Sequence, residues 1–148
     1  MFTVDPRSSE AILAVVRRVL AVILVLPMAG ILVELLLIEH FEDTWQLVPL
    51  ILLGLGLVAL AWHTVAPNRP SARAFAILMA LFIIAGFIGF YMHYAGNVEF
   101  ELEQNPNAAR WALFREAMMG ATPALAPGAM IQMGLIGLLY YFVSRWQR

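Results

Sequence analysis

The chain has 148 residues, 62% of them hydrophobic and 13% charged, with a mean hydropathy of +0.82 and a net charge of −1. Soluble domains carry about 25% charged and about 45–50% apolar residues, so this composition excludes an ordinary soluble surface. The near-neutral charge and the absence of a basic run exclude a nucleic-acid partner; the absence of cysteine excludes disulfides, thiolate metal sites, iron–sulfur clusters and covalently attached haem.

Taken in order, residues 1–18 read as a short amphipathic lead-in, with Asp5–Pro6 or Ser8–Ser9 able to start a helix. Arg17 and Arg18 stand where the first apolar run begins. That run, residues 19–38, is longer than the roughly 7–15 apolar residues of a signal peptide and reads as a retained span, with Pro27 as a kink site. Residues 39–46 form an acidic turn with Trp45 as an interfacial anchor. A second span covers 47–63. The stretch 66–73, APNRPSAR, breaks the helix, and Ser71 can cap the next one. A third span covers 74–94.

The long connection 95–122 has two parts. Val98, Phe100 and Leu102 alternate with Glu99, Glu101 and Glu103, a strand-like period of two, although a lone strand at a membrane surface is marginal. Asn105–Pro106 then opens an amphipathic segment, 106–119, with Trp111, Phe114 and Met118 on one face, which predicts a helix lying in the membrane interface. A fourth span starts at Thr122–Pro123 or Ala126–Pro127 and covers about 123–143, closed by Arg145, Trp146 and Arg148. The expected fold is an all-α integral membrane protein. It is one membrane domain over 1–148, a four-transmembrane-helix bundle with an additional amphipathic interfacial helix in the outer loop between spans three and four.

All nine basic residues are Arg. Seven of them, Arg7, Arg17, Arg18, Arg69, Arg73, Arg145 and Arg148, fall on one side of this topology. The positive-inside rule then places both termini in the cytoplasm, and the expected location is a bacterial inner membrane. Lipid supplies no hydrophobic drive between helices, so small residues mark their contacts. Gly30, Gly56, Gly86, Gly89, Gly134 and Gly137 lie on stripes that also carry Glu34, His63, His93 and Tyr141, which predicts that the small, polar-bearing faces point into the bundle or against a partner.

Chemistry has few places to sit. Glu34 is a carboxylate within the first apolar run, and Gln132 an amide within the fourth; intramembrane polar groups are functional candidates by default. At the outer mouth, Glu39, His40, Asp43, His93 and Glu99 offer the imidazole and carboxylate ligands that suit zinc, manganese or iron, and Glu39 and Asp43 share a face if the helix persists that far. Haem is disfavoured: His40 and His93 are the one pair at a common level, and that level is the edge of the bundle. Met118, Met119, Met130 and Met133 could ligate copper, but methionine in apolar spans ordinarily fills gaps. No Ser/His/Asp arrangement is evident, so an enzyme is not the expected reading.

Three functions follow. The first is an accessory, structural or assembly subunit of a membrane complex or homo-oligomer, whose partners are the lipid bilayer and other membrane chains or further copies. The second is a metal- or redox-cofactor protein with its site at the outer mouth. The third is a small transporter or proton-linked carrier using Glu34.

Overall fold

A computed structural model describes residues 6–120 and 122–145, with side chains from Ser9 onward. The helices are α1 (Pro6–Leu37), α2 (Thr44–Val65), α3 (Arg69–Gln104), α4 (Arg110–Met118) and α5 (Gly128–Arg145), and no strand occurs among the described residues. The possible cap at Asp5 and the closing Trp146 and Arg148 lie outside the described residues.

Helix α1 starts at proline, which sacrifices no backbone bond at a first helical position, and runs through Pro27 unbroken. It ends in a Schellman motif. The N–H of His40 donates to the Leu35 carbonyl at 2.8 Å and that of Glu39 to the Leu36 carbonyl at 3.2 Å. The motif requires a left-handed residue, and Glu39 takes that conformation with φ of 55°. Glycine would adopt it without the Cβ clash. Glu39→Gly is expected to raise stability by about 0.5–1 kcal/mol, the αL relief less glycine's own entropy; an unchanged or lowered thermal midpoint would contradict this account of the turn.

Helix α2 is started by a capping box. Asp43 Oδ1 accepts from the backbone of Trp45 at 2.7 Å and of Gln46 at 3.0 Å, while Gln46 Oε1 reaches back to the Asp43 N–H. Helix α3 starts the same way but five residues before its expected span. Asn68, not Ser71, is the cap; Ser71 is the reciprocal partner three residues on.

Residues 98–103, patterned like a strand, are helical. Helix α3 continues through them to Gln104 and is 36 residues long, about 54 Å, against a hydrocarbon thickness of about 30 Å. An isolated strand would leave its backbone groups unpaired, whereas a continued helix satisfies them internally. The helical spacing of His93, Asn97 and Glu101 places the covered side chains on one face, against which α4 folds back. Helix α4 is shorter than the expected 106–119. Ala117 is its buried residue, while Trp111 is 75% exposed and stacks on Phe114 with ring centroids 5.5 Å apart.

Residues 123–127 wind into i→i−3 turns before α5 begins, so the helix takes the later of its two expected starts. Helices α1, α2 and α3 are long and apolar enough to cross a membrane. With 18 residues that include Gln132, Tyr140, Tyr141, Ser144 and Arg145, α5 falls short of that standard.

Helix α3 packs against α2, α4 and α5, and α1 against α2 and α5, giving a four-helix ring with α4 as an outrigger. The shared core comprises Leu24 and Met28 of α1, Leu53, Ala59 and Leu60 of α2, Phe75, Met79 and Phe82 of α3, and Met130, Met133 and Tyr140 of α5. Met130 and Met133 therefore serve as core packing. The helices meet through glycines. A Cβ on Gly56 would come within 2.9 Å of Phe82, one on Gly134 within 2.6 Å of the Met79 carbonyl, and one on Gly86 within 2.9 Å of the Pro127 carbonyl. Gly89 faces Pro127 and Gly137 faces the Met79 side chain. Gly30 differs, with nothing within 4 Å.

Candidate functional site

The residues expected at the outer mouth are not assembled into one site. Helix α1 has ended before Glu39 and Asp43 can share a face, and the Asp43 carboxylate is engaged in capping α2. His93, on α3, places Nδ1 3.1 Å from the Pro123 carbonyl; that oxygen only accepts, so Nδ1 carries the proton. Glu99 is exposed on the extension of α3 beyond residue 94, and His40 lies in the α1–α2 turn. Among the described residues no three His, Asp or Glu side chains form a group able to hold a metal ion.

What the structure builds at that end is a hub on Asn97. It is 3% exposed. Its Nδ2 donates to the carbonyls of Ala117 at 2.8 Å and Thr122 at 2.6 Å, and its Oδ1 accepts from the Thr122 N–H at 3.2 Å. One side chain thus fastens the end of α4 and the approach to α5 onto α3. Gly120 is required beside it, since a Cβ there would lie 2.7 Å from the Asn97 side chain.

The two polar residues expected within the membrane face outward. Glu34 and Gln132 are both exposed on the surface of the bundle, so a path through its interior would not meet them. On α1, Leu26, Gly30, Val33 and Leu37 form one outward stripe at helical spacing, with Glu34 beside it. Only 11% of the most apolar stretch of α1 is buried, against 33% in α2 and 22% in α3. Helix α1 therefore presents the largest uncovered apolar face of the three.

The opposite end of the bundle, where α2 ends and α3 begins, holds a second polar cluster. His63 is 3% exposed and its Nδ1 lies 3.0 Å from Ser71 Oγ. The hydroxyl also accepts from the Asn68 N–H and lies 3.0 Å from the carbonyls of Ala66 and Asn68. Donation of its one proton to the Ala66 carbonyl leaves its lone pairs for Asn68 N–H and His63 Nδ1–H, while the Asn68 carbonyl accepts from the Ala72 N–H. The imidazole stacks on Phe75 at 6.2 Å and meets Tyr140 edge-on at 6.1 Å. Gly56 and His63 lie seven residues apart on one stripe of α2, expected either inside the bundle or against a partner, and both are buried inside it.

Beside this cluster lies a cavity of about 420 Å³. Its walls are His63 of α2, Arg69, Ala72 and Arg73 at the start of α3, and Tyr141, Ser144 and Arg145 at the end of α5. Arg145 Nη1 donates to the Tyr141 hydroxyl at 3.3 Å and its guanidinium lies 5.6 Å from the centre of the Tyr141 ring. Among the described residues no carboxylate lines this space. Comparison of the chain with family models, with curated proteins and with solved structures found no match, and the functional reading rests on this geometry.

Proposed function

We propose that the protein is a non-enzymatic accessory subunit of a membrane assembly, formed with further copies of itself or with another membrane chain, and that the outward face of α1 is where the partner helix lies. The observation that carries the reading is the outward placement of Glu34 beside Gly30. A carboxylate directed at lipid is costly, by about 2.5–3.5 kcal/mol at mid-membrane and less toward the edge, and intramembrane charges ordinarily find a polar partner. A glycine with open space above it lets a second helix approach closely, the condition under which membrane helices associate. Within this reading α5, extended by the turns before it, serves as the fourth span, α4 rests in the outer interface, and both termini are cytoplasmic, a placement the distribution of Arg supports.

The test uses two substitutions that leave the protomer untouched. The native mass of the gently solubilised protein should be a multiple of 16.5 kDa, or include a second defined chain. Gly30→Leu should reduce the assembly to the single chain without lowering its thermal midpoint, because open space receives the new side chain. Glu34→Leu should weaken the assembly by about 1–2 kcal/mol, the worth of an interhelical polar contact. A wild-type protein that is monomeric and partner-free in native membrane patches would overturn the proposal, as would an assembly that survives both changes.

A further inference from the structure

The cavity between α2, α3 and α5 concentrates positive charge, and at the start of α3 the helix itself does not favour it. Arg69 and Arg73 stand four residues apart at the start of α3, where like charges at that spacing repel. They also sit at a helix N-terminus, where the macrodipole favours anions and disfavours cations. Arg145 adds a third guanidinium from the last turn of α5. Among the described residues the one ion pair is Arg115–Glu116 on α4, so none of these three arginines is neutralised by a carboxylate there.

The walls are ordered in advance. Asn68 and Ser71 fix the first turn of α3, the ring of Tyr141 positions Arg145, and the buried His63 is held by Ser71, Phe75 and Tyr140. The volume lies within the roughly 300–1,000 Å³ of small-molecule sites. Planar guanidinium groups recognise phosphate through paired charge-assisted hydrogen bonds, and basic pockets between membrane helices on the cytoplasmic side receive anionic head groups.

We infer that this cavity is a binding site for a phosphate group, borne by an anionic phospholipid head group or by free phosphate and held by Arg69, Arg73 and Arg145. The site rests on the membrane reading for its lipid source alone, and not on whether a partner covers α1.

The experiment uses the delipidated full chain in detergent. Phosphatidylglycerol, phosphatidylcholine and inorganic phosphate are titrated separately, with retained adducts read by native mass spectrometry and thermal midpoints followed alongside. The comparison variants are R73Q/R145Q, which empties the site of two guanidiniums, and R110Q/R115Q, which removes equal charge from α4. Saturable retention of one phosphatidylglycerol, with phosphatidylcholine bound weakly, identifies the lipid source; a saturable rise in midpoint with inorganic phosphate identifies the free anion. In either case affinity should fall roughly tenfold or more in R73Q/R145Q and stay unchanged in R110Q/R115Q. Arg73 and Arg145 are exposed, so R73Q/R145Q without added probe should melt with the wild type. Absence of saturable binding by any probe overturns the inference, and so does an equal loss in both double variants, which would reduce it to diffuse surface charge. A monomeric protein that still retains the lipid would overturn the accessory-subunit proposal and leave the site standing.

Discussion

Gly134→Val is expected to cost about 3 kcal/mol and to lower the thermal midpoint of the bundle more than any other single change to a glycine. The reason is the identity of the neighbours. A Cβ at this position would lie 2.6 Å from the Met79 carbonyl and 2.6 Å from Ile83 Cγ1. A side chain can change rotamer, but the carbonyl belongs to α3 itself, so relief requires α3 and α5 to move apart. This pair forms the most extensive helix contact in the molecule, and the separation would loosen Met130, Met133 and Tyr140 from Phe75, Met79 and Phe82 together. Overpacking costs about 1–3 kcal/mol where neighbours can adjust, and backbone on the far side places this case at the upper end. The control is Gly54→Ala. Nothing lies within 4 Å of a Cβ at Gly54, and alanine is favoured over glycine in a helix interior by up to about 1 kcal/mol. Opposite shifts in midpoint, down for Gly134→Val and up or level for Gly54→Ala, are the expected result. Equal shifts would mean that close approach of α5 to α3 is not what these glycines provide.

The second large effect is local. Asn97→Leu keeps nearly the same volume but removes two donors and one acceptor at once, leaving the carbonyls of Ala117 and Thr122 and the Thr122 N–H without their partner. In the described structure no buried side-chain polar atom lacks a partner; this substitution orphans backbone groups that only the Asn97 side chain is seen to reach. An orphaned buried group costs about 1–3 kcal/mol. Thr122 is exposed enough for water to offset part of its share, which sets the expected loss at about 3 kcal/mol. The core of α1, α2, α3 and α5 does not pass through Asn97, so the loss should appear as undocking of α4 rather than as unfolding. Backbone hydrogen exchange over 105–127 should accelerate by roughly a hundredfold, at 1.4 kcal/mol per decade, while protection in α2 stays level. Unchanged exchange in α4 would assign its attachment to the Tyr94–Phe114 contact instead.

Elements whose signal is local were legible in the residues. The apolar runs marked four spans, three of which are helices long and apolar enough to cross a membrane, the acidic turn marked the α1–α2 connection, and the prolines marked the breaks near 66–70 and 123–127. Gly56, Gly86, Gly89, Gly134 and Gly137 are all points of close approach, because in an apolar helix a missing side chain is itself the packing signal. The length of α3 was hidden by the alternation of Val98, Phe100 and Leu102 with glutamates, a pattern that reads as a strand until α4 is seen to cover Asn97.

Facing was the harder question. A helix that is apolar all round carries almost no amphipathic signal to orient it, so a stripe containing Gly30 and Glu34 reads equally well as inward or outward, and packing of the neighbouring helices turned it outward. The three arginines of the cavity show the same limit. They come from separate stretches, 69–73 and 145, and no run of basic residues announces them. The residues alone determined that the chain is helical and membrane-like, because composition and hydropathy are sums along the chain. Which faces meet, where Asn97 and His63 find their partners, and that Arg69, Arg73 and Arg145 surround one cavity were decided by the tertiary structure, because these depend on the rotation and register of helices brought together from distant parts of the chain.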